Sequence, residues 1–230
     1  ESEIKFFSKK NILKRKKLLI NKKEIIDIFN SKIKTFKFLK KLNLGTPSFC
    51  FKLNKIKKYT EPFFIKKDYG YGNRGYRLVS SKEDFKKIKN LKKNEWVAQE
   101  YLGKGFNEFT CGIIRLKDFS DVIILKRKLH KGYSYFVKNI NNPKLKRELL
   151  HLANKINLNG CLNIQLKANK KRYAIFEINT RLSSTVMMRH KLNFKDCVWW
   201  MEYLLFNKKP KRNYKIINKA LVKLNEEKYI

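Results

Sequence analysis

A chain of 230 residues, 43% hydrophobic and 13% aromatic, carries enough apolar material for one domain or two closely joined lobes, which excludes a disordered polymer. Lys and Arg number 56 against 19 Asp and Glu, a formal charge of +37, and taken alone that charge points to nucleic acid or an anionic membrane. The lysines, however, are spread from Lys5 to Lys228 and enriched together with Asn and Ile, as in an AT-rich coding sequence, so a solvated surface is favoured over a dedicated nucleic-acid face.

Cys50, Cys111, Cys161 and Cys197 stand far apart, with no C-x-x-C and no Cys/His metal spacing, and read as reduced core thiols of a cytoplasmic protein. The longest apolar run, residues 197–206, contains Glu202 and is too short to span a bilayer. No stretch reads as a secretory leader.

In chain order, residues 22–43 place Ile33, Phe36, Leu39 and Leu42 on one helical stripe, and Gly45 and Pro47 stop it, which predicts one helix or two. Residues 63–65 read as a short strand, 68–75 as a glycine-bearing loop and 76–79 as a second strand. Ser80-Ser81-Lys82-Glu83 is a capping-box signal for a helix through Leu91, because a Ser hydroxyl takes an orphan amide and the Glu reaches back. Residues 96–102 alternate as a strand. Strands over 108–116 and 121–128 follow, with a turn at 117–120. Pro143 opens a helix striped by Leu145, Leu149, Leu152 and Ile156, with Gly160 just past its end. A polar turn at 169–171 joins strands over 162–167 and 172–178. Residues 193–196 cap a mostly buried helix ending near Phe206, and a basic tail runs to Ile230. The fold class is α+β, helices packed on two antiparallel sheets with one sheet per lobe.

Gly70-Tyr71-Gly72-Asn73-Arg74-Gly75 fits G-x-G-x-x-G, where residues without Cβ let backbone amides approach phosphate oxygens. A dinucleotide fingerprint would open a helix; this loop returns into a strand, as a flap over phosphates does. No H-R-D or D-F-G follows, so a protein-kinase flap is not supported. Lys66, at the end of the entering strand, and Arg74, at the tip, supply positive charge. The alternative is an ordinary hairpin with basic decoration.

Period-2 alternation sets Asn163, Gln165 and Lys167 on one face of the first late strand, and Ile175, Glu177 and Asn179 on one face of the second. A turn centred near 169–171 brings Gln165 opposite Glu177 and Asn163 opposite Asn179, with Cβ atoms roughly 4.5–5.5 Å apart. Clustered hard oxygens suit Mg²⁺, which takes one or two carboxylates and completes its shell with water and phosphate. The alternative is a polar stripe on a half-exposed sheet. Residues 129–138, with Gly132, Tyr133 and Tyr135, read as a substrate loop or a plain surface connection. His130, His151 and His190 stand without the Ser or Cys of a hydrolytic triad and read as structural.

Three segments together resemble the ATP-grasp superfamily, in its carbamoyl-phosphate-synthase-like branch: "PFFIKKDYGYGNRGYRLV" the lysine-plus-glycine-flap motif, "VAQEYLGKGFNEFTCGII" the hinge and ribose-binding strand, and "GCLNIQLKANKKRYAIFEINTRLSS" the metal-binding hairpin. The resemblance covers about residues 24–206. It implies two lobes with nucleotide bound between them, and an ADP-forming ligase that uses ATP to activate a carboxylate as an acyl phosphate for attack by an amine or similar nucleophile. Lys32 and Lys66 would contact phosphates, and Gly70, Gly72, Asn73, Arg74 and Gly75 would form the flap. Gln99, Glu100, Tyr101 and Leu102 would form the adenine-reading hinge, and Glu108 would bind ribose. Gln165, Glu177 and Asn179 would hold Mg²⁺, with Mn²⁺ as the alternative ion. Arg181, with Lys66, would serve the transferring phosphoryl group.

The implied division is a leading segment at 1–45, a first lobe at 46–102, a second lobe at 103–206 and a basic tail at 207–230. Departures from the family pattern are Lys67 where Pro is frequent, Gly112 where many relatives carry Asp, and Ser184 where the synthases have a second Arg. Relatives usually carry an α/β domain before the position matching Glu1, and that domain is expected to lie outside this chain. The expected partners are small-molecule carboxylate and nucleophile substrates, with no specific nucleic acid and no membrane span, and a homodimer is compatible with the reading. The competing readings are a basic nucleic-acid-binding protein, with Tyr69, Tyr71, Tyr133 and Tyr135 contacting bases, and a catalytically inactive ATP-grasp scaffold.

Overall fold

The structure, a computed structural model, describes residues 18–51, 56, 60–70, 76–88, 95–211 and 214–223. The predicted helical stretch divides into α1 (Lys23–Phe29) and α2 (Lys32–Lys41). Ser31 makes the division, because its side chain accepts from the Lys34 amide and so caps a new helix.

In the first lobe β1 (Phe49–Cys50), β2 (Phe63–Lys67), β3 (Tyr76–Val79) and β4 (Trp96–Glu100) make an antiparallel sheet in the order β1-β4-β2-β3. α3 (Lys82–Ile88) covers it, burying Phe85 and Ile88 against Ile65, Val79, Trp96 and Ala98. The capping box lies one residue later than predicted. The Ser81 hydroxyl accepts from the Asp84 amide, and the Asp84 carboxylate takes the Ser80 amide, so the acid that reaches back is Asp84 and not Glu83.

The second lobe comprises β5 (Asn107–Leu116), β6 (Phe119–His130), β7 (Tyr133–Asn139), α4 (Pro143–Lys155), β8 (Gly160–Ala168), β9 (Tyr173–Asn179), α5 (Val186–Lys191), α6 (Asp196–Phe206) and β10 (Ala220–Val222). Its strands form one antiparallel sheet ordered β10-β7-β6-β5-β8-β9. Residues 129–138 are therefore a strand hairpin rather than a loop. His130 pairs with Tyr133 across a turn in which Lys131 and Gly132 have φ of 48° and 83°, the positive values that a two-residue hairpin turn requires. The segment after Phe206, predicted as a basic tail, adds β10 to the sheet edge and packs Tyr214 against Phe119 and Trp199.

The six-stranded sheet separates two cores. One face buries Cys111, Ile113, Val122, Ile124, Leu162, Ile164 and Leu166 under α1, α2 and α4. The other buries Ile114, Ile123, Leu125 and Cys161 under α5 and α6. Along that second face the character changes with position. β5 runs from Ile114 through Gly112 and Thr110 to Glu108, β6 from Leu125 to Arg127, and β8 from Cys161 through Asn163 and Gln165 to Lys167. Period-2 geometry makes each series a single face, so one end is core and the other is available to a ligand.

A candidate active site between the two sheets

A cavity of about 730 Å³ lies where the polar end of this face meets the first lobe. Phe64, Lys66 and Gln99 line it from one sheet, and Glu108, Arg127, Gln165, Lys167, Glu177 and Asn179 from the other. Among the described lining residues six Lys or Arg side chains (Lys32, Lys66, Lys67, Arg127, Lys167, Arg181) face two carboxylates, Glu108 and Glu177, a balance that suits a polyanion.

The hairpin register is as predicted: Gln165 opposes Glu177, and Asn163 opposes Asn179. Strict alternation does not hold along β9. A register shift beyond Gln165 sets Leu166 opposite Ile175, so Phe176 has no opposite residue on β8. Ile175 goes into the core while Phe176, Glu177 and Asn179 line the cavity, which corrects the placement of Ile175 on the face of Glu177. Asn179 Nδ2 donates to Glu177 Oε1 at 3.0 Å, which leaves the Asn179 oxygen for another partner. Gln165 Oε1 accepts from Arg127 Nη2 at 2.8 Å and retains its second lone pair. Among the described residues no group of three or more His, Cys, Asp or Glu could hold a metal ion. The donor set around Glu177 is one carboxylate with amide oxygens, which fits Mg²⁺ shared with phosphate and water.

Lys66 is half-buried, its Nζ 5.5 Å and 5.6 Å from the ring centroids of Phe64 and Phe176. Burial pushes its pKa down to about 8; the Glu177 charge opposes that shift, and Lys32 and Lys167 add to it. An incoming anion would relieve both the burial and the crowding of like charge. Lys32 opens α2, and its Nζ donates to the carbonyls of Asp68 and Gly70 at 3.3 Å and 3.2 Å. The Asp68 carboxylate accepts from the Ser31 hydroxyl and the Ile33 amide, so one residue both caps the helix and seats Lys32 at the start of the glycine loop. Gly70 lines the cavity. Gly72, Asn73, Arg74 and Gly75 lie outside the described residues.

Of the predicted hinge, Gln99 and Leu102 line the cavity, and the buried Gln99 Oε1 has no hydrogen-bond partner among the described residues. Glu100 and Tyr101 do not line it. Glu100 takes the Ser48 amide and pairs with Arg172, and Tyr101 packs on Phe64. Lys167, not predicted as a site residue, donates to the Leu102 carbonyl at 2.8 Å and ties the second sheet to the segment that follows β4. Arg127, also unpredicted, donates to Glu108 Oε1 through Nε at 3.1 Å and Nη2 at 2.6 Å. The signal for Arg127 was the cross-strand register. A turn at 117–120 sets Glu108 opposite Leu129, whereas the observed pair Leu116–Phe119 sets it opposite Arg127. Arg181 lines the cavity and donates to the Leu182 carbonyl at 3.0 Å.

Two antiparallel sheets with a cation-rich cleft between them define an ATP-grasp architecture, and the comparisons agree. Over residues 92–224, more than half of the chain, the sequence matches the family described as ATP-grasp in the biosynthetic pathway with Ter operon, and the chain belongs to that family. It is 29% identical over 159 residues to a curated Mycoplasma pneumoniae protein, the uncharacterized protein MG011 homolog, an alignment covering 66% of this chain and 53% of the relative. The chain thus spans about half the length of that relative. The biotin carboxylase domain of Hydrogenobacter thermophilus 2-oxoglutarate carboxylase, solved with MgADP, ADP and bicarbonate, superposes with a TM-score of 0.76 at 12% identity, over 94% of this chain and 54% of that one. Campylobacter jejuni biotin carboxylase, solved with β-γ-ATP, gives 0.75 at 15% identity, over 95% and 55%. Helicobacter pylori D-alanine-D-alanine ligase gives 0.63 at 15% identity, over 81% and 60%. Likeness at such identities establishes the fold.

Proposed function

We propose that the chain is the catalytic portion of an ADP-forming, ATP-dependent ligase that activates a carboxylate as an acyl phosphate for attack by an amine or similar nucleophile. The observation that carries the reading is the meeting, in one cavity, of the Gln165–Glu177 and Asn163–Asn179 pairs of the second sheet with the half-buried, charge-crowded Lys66 of the first.

In this reading Lys66 and Lys32 hold phosphate oxygens, Lys66 as a compact charge sheltered from water and Lys32 from the helix start. Gln99, Leu102 and the neighbouring backbone receive the base, and Glu108 the ribose, with Arg127 fixing the Glu108 carboxylate. Glu177, Asn179 and Gln165 would hold Mg²⁺, which supplies positive charge to phosphate oxygens when bound. Arg181 steadies the transferring phosphoryl group. Positioning and electrostatics carry the catalysis, and closure of the two lobes keeps water from the activated acid. The inactive-scaffold reading is disfavoured because Lys66, Glu177 and Asn179 all line one cavity.

We divide the chain at 1–45, 46–102, 103–206 and 207–230, as above, with β10 completing the second lobe's sheet. Four cysteines not joined in disulfides, two of them fully buried, support a reducing compartment, the cytoplasm. No helix among the described residues is long and apolar enough to cross a membrane. The direct test is calorimetry with ATP and Mg²⁺. The purified chain is expected to bind, and Lys66→Ala to weaken binding; unchanged affinity in the variant would remove Lys66 from the phosphate site.

A further inference from the structure

Behind one wall of the cavity lies Arg189 of α5, at 1% exposure the bulkiest fully buried side chain of the described residues. It passes over Gly112 of β5, where a Cβ would stand 2.7 Å from its Cδ and 2.8 Å from its Nε. Nη2 pairs with the buried Asp196 carboxylate at 2.7 Å. Nη1 donates to Ser183 Oγ at 2.9 Å and to Thr185 Oγ1 and Asn163 Oδ1 at 3.3 Å. The Thr110 hydroxyl donates to the same Asn163 oxygen at 2.8 Å. Asn163, Ser183 and Thr185 line the cavity, and Arg189 does not.

A guanidinium donates and never accepts, whereas an amide and two hydroxyls can each do both. Contact with Arg189 therefore consumes the acceptor side of all three. The Asn163 oxygen must turn inward, since the opposite amide orientation would set N–H against N–H, and Nδ2 is left for the cavity. Ser183 Oγ accepts from Arg189 and, at 3.2 Å, from the Thr185 amide, so its proton goes to Thr185 Oγ1, 2.7 Å away. Thr185 Oγ1, accepting from both, has its own proton left over. A wall of amphoteric groups becomes a wall of donors.

We propose that this wall is an oxyanion subsite for the carboxylate or phosphoryl oxygens of the acid substrate, and that Arg189 is the positioning residue that imposes its donor polarity without touching the ligand. The proposal rests on the ligase reading for the ligand being the acid, not for the polarity of the wall. Asn163 thereby acts as a donor to the substrate and not as a further oxygen ligand beside Asn179. Gly112 belongs to the same device, because only a residue without Cβ leaves the guanidinium its path.

Inorganic phosphate, titrated in the presence of saturating Mg-ADP, tests the subsite, and Mg-ADP titrated separately tests the nucleotide site. Asn163→Asp keeps the inward oxygen and its two contacts while replacing the outward N–H₂ with an oxygen. Arg189→Lys keeps a cation for Asp196 and cannot reach three acceptors at once. Both are expected to weaken phosphate about tenfold or more while Mg-ADP affinity changes by less than about twofold, as loss of a hydrogen bond to a charged ligand implies. Failure of the parent to bind Mg-ADP would sink the ligase reading, and the phosphate titration without nucleotide would still decide the subsite. A parent that takes up no phosphate, or an Asn163→Asp chain that binds it as the parent does, overturns the proposal. So does an Arg189→Lys chain that loses phosphate and Mg-ADP in equal measure, since that is what a fold anchor alone would do.

Discussion

Gln165 stands directly opposite Glu177 in the β8–β9 ladder, and the ladder slips by one residue immediately beyond them. The slip has two effects. It keeps the carboxylate and the amide on the cavity side while sending Ile175 into the core, and it brings the Phe176 ring to the cavity, where it lies 5.6 Å from Lys66 Nζ. The same irregularity therefore sets both the Glu177 carboxylate and the Phe176 ring on the side of the cavity that Lys66 faces.

The sheltering of Lys66 has a pH signature. Its pKa falls from 10.5 to about 8 in the folded chain, chiefly by burial. Between these values the unfolded chain binds the extra proton, so this group makes the nucleotide-free protein more stable as pH rises from about 8 toward 10.5, and its penalty is fully present below about 8. Phosphate binding needs the charged form, so ATP affinity should move the other way, falling as pH rises through about 8. Calorimetry with Mg-ATP across that range measures this. Lys66→Arg should flatten the profile, and Phe176→Ala should move its midpoint upward. A profile indifferent to both changes would detach the titration from Lys66.

Arg127 is 9% exposed in its side chain and holds Glu108, Gln165 and Ser134 together. Arg127→Leu leaves the Glu108 carboxylate without its cation, and the expected loss of stability is about 1–3 kcal/mol by chemical denaturation. Because Gln165 also loses its partner, nucleotide affinity should drop with stability. A variant that binds Mg-ATP as the parent does would make Arg127 a stabilising residue alone.

Gly112→Ala would place a methyl group 2.7 Å from Arg189 Cδ and 2.8 Å from its Nε, so the buried Arg189 side chain would have to shift. Overpacking of this kind costs about 1–3 kcal/mol. Equilibrium unfolding should show it, and a variant as stable as the parent would mean that Arg189 can shift without loss. The Gly112 departure from the family pattern thus has a physical reason, since a larger side chain and the buried Arg189 cannot share the space.

Much of the architecture is legible in the sequence because its signals are local. The stripe from Leu145 to Leu152 and the polar turn at Asn169, whose side chain takes the Lys171 and Arg172 amides, are settled within a few residues. β7 is not legible in this way. Its Gly132 signals a turn, but Ser134 and Val137 are both buried, three apart, across a ladder shift that breaks the alternation. β10 exists only because β7 offers it an edge. In the site, Lys66, Glu177 and Asn179 stand out by residue type in strand context. Arg127 and Lys167 do not, because their roles follow from register and from contact with the other lobe. Arg189 looks like one more base in a basic chain, and only its burial against Asp196 and Gly112 distinguishes it.

The central claim, that Glu177 holds the ion through which this chain uses ATP, is tested most directly by Glu177→Gln. Glu177 is the one acidic residue between Glu148 and Asp196, so no neighbour in that stretch can take its place. The substitution keeps the shape and one carbonyl oxygen but removes the charge that binds a hard divalent ion. Thermal melts of parent and variant, with and without Mg-ATP, should show similar melting temperatures without ligand and stabilisation by Mg-ATP in the parent alone. Stabilisation of the variant by Mg-ATP to the same extent as the parent would contradict the assignment, and loss of stability in the ligand-free variant would make Glu177 a structural partner of Lys66 instead.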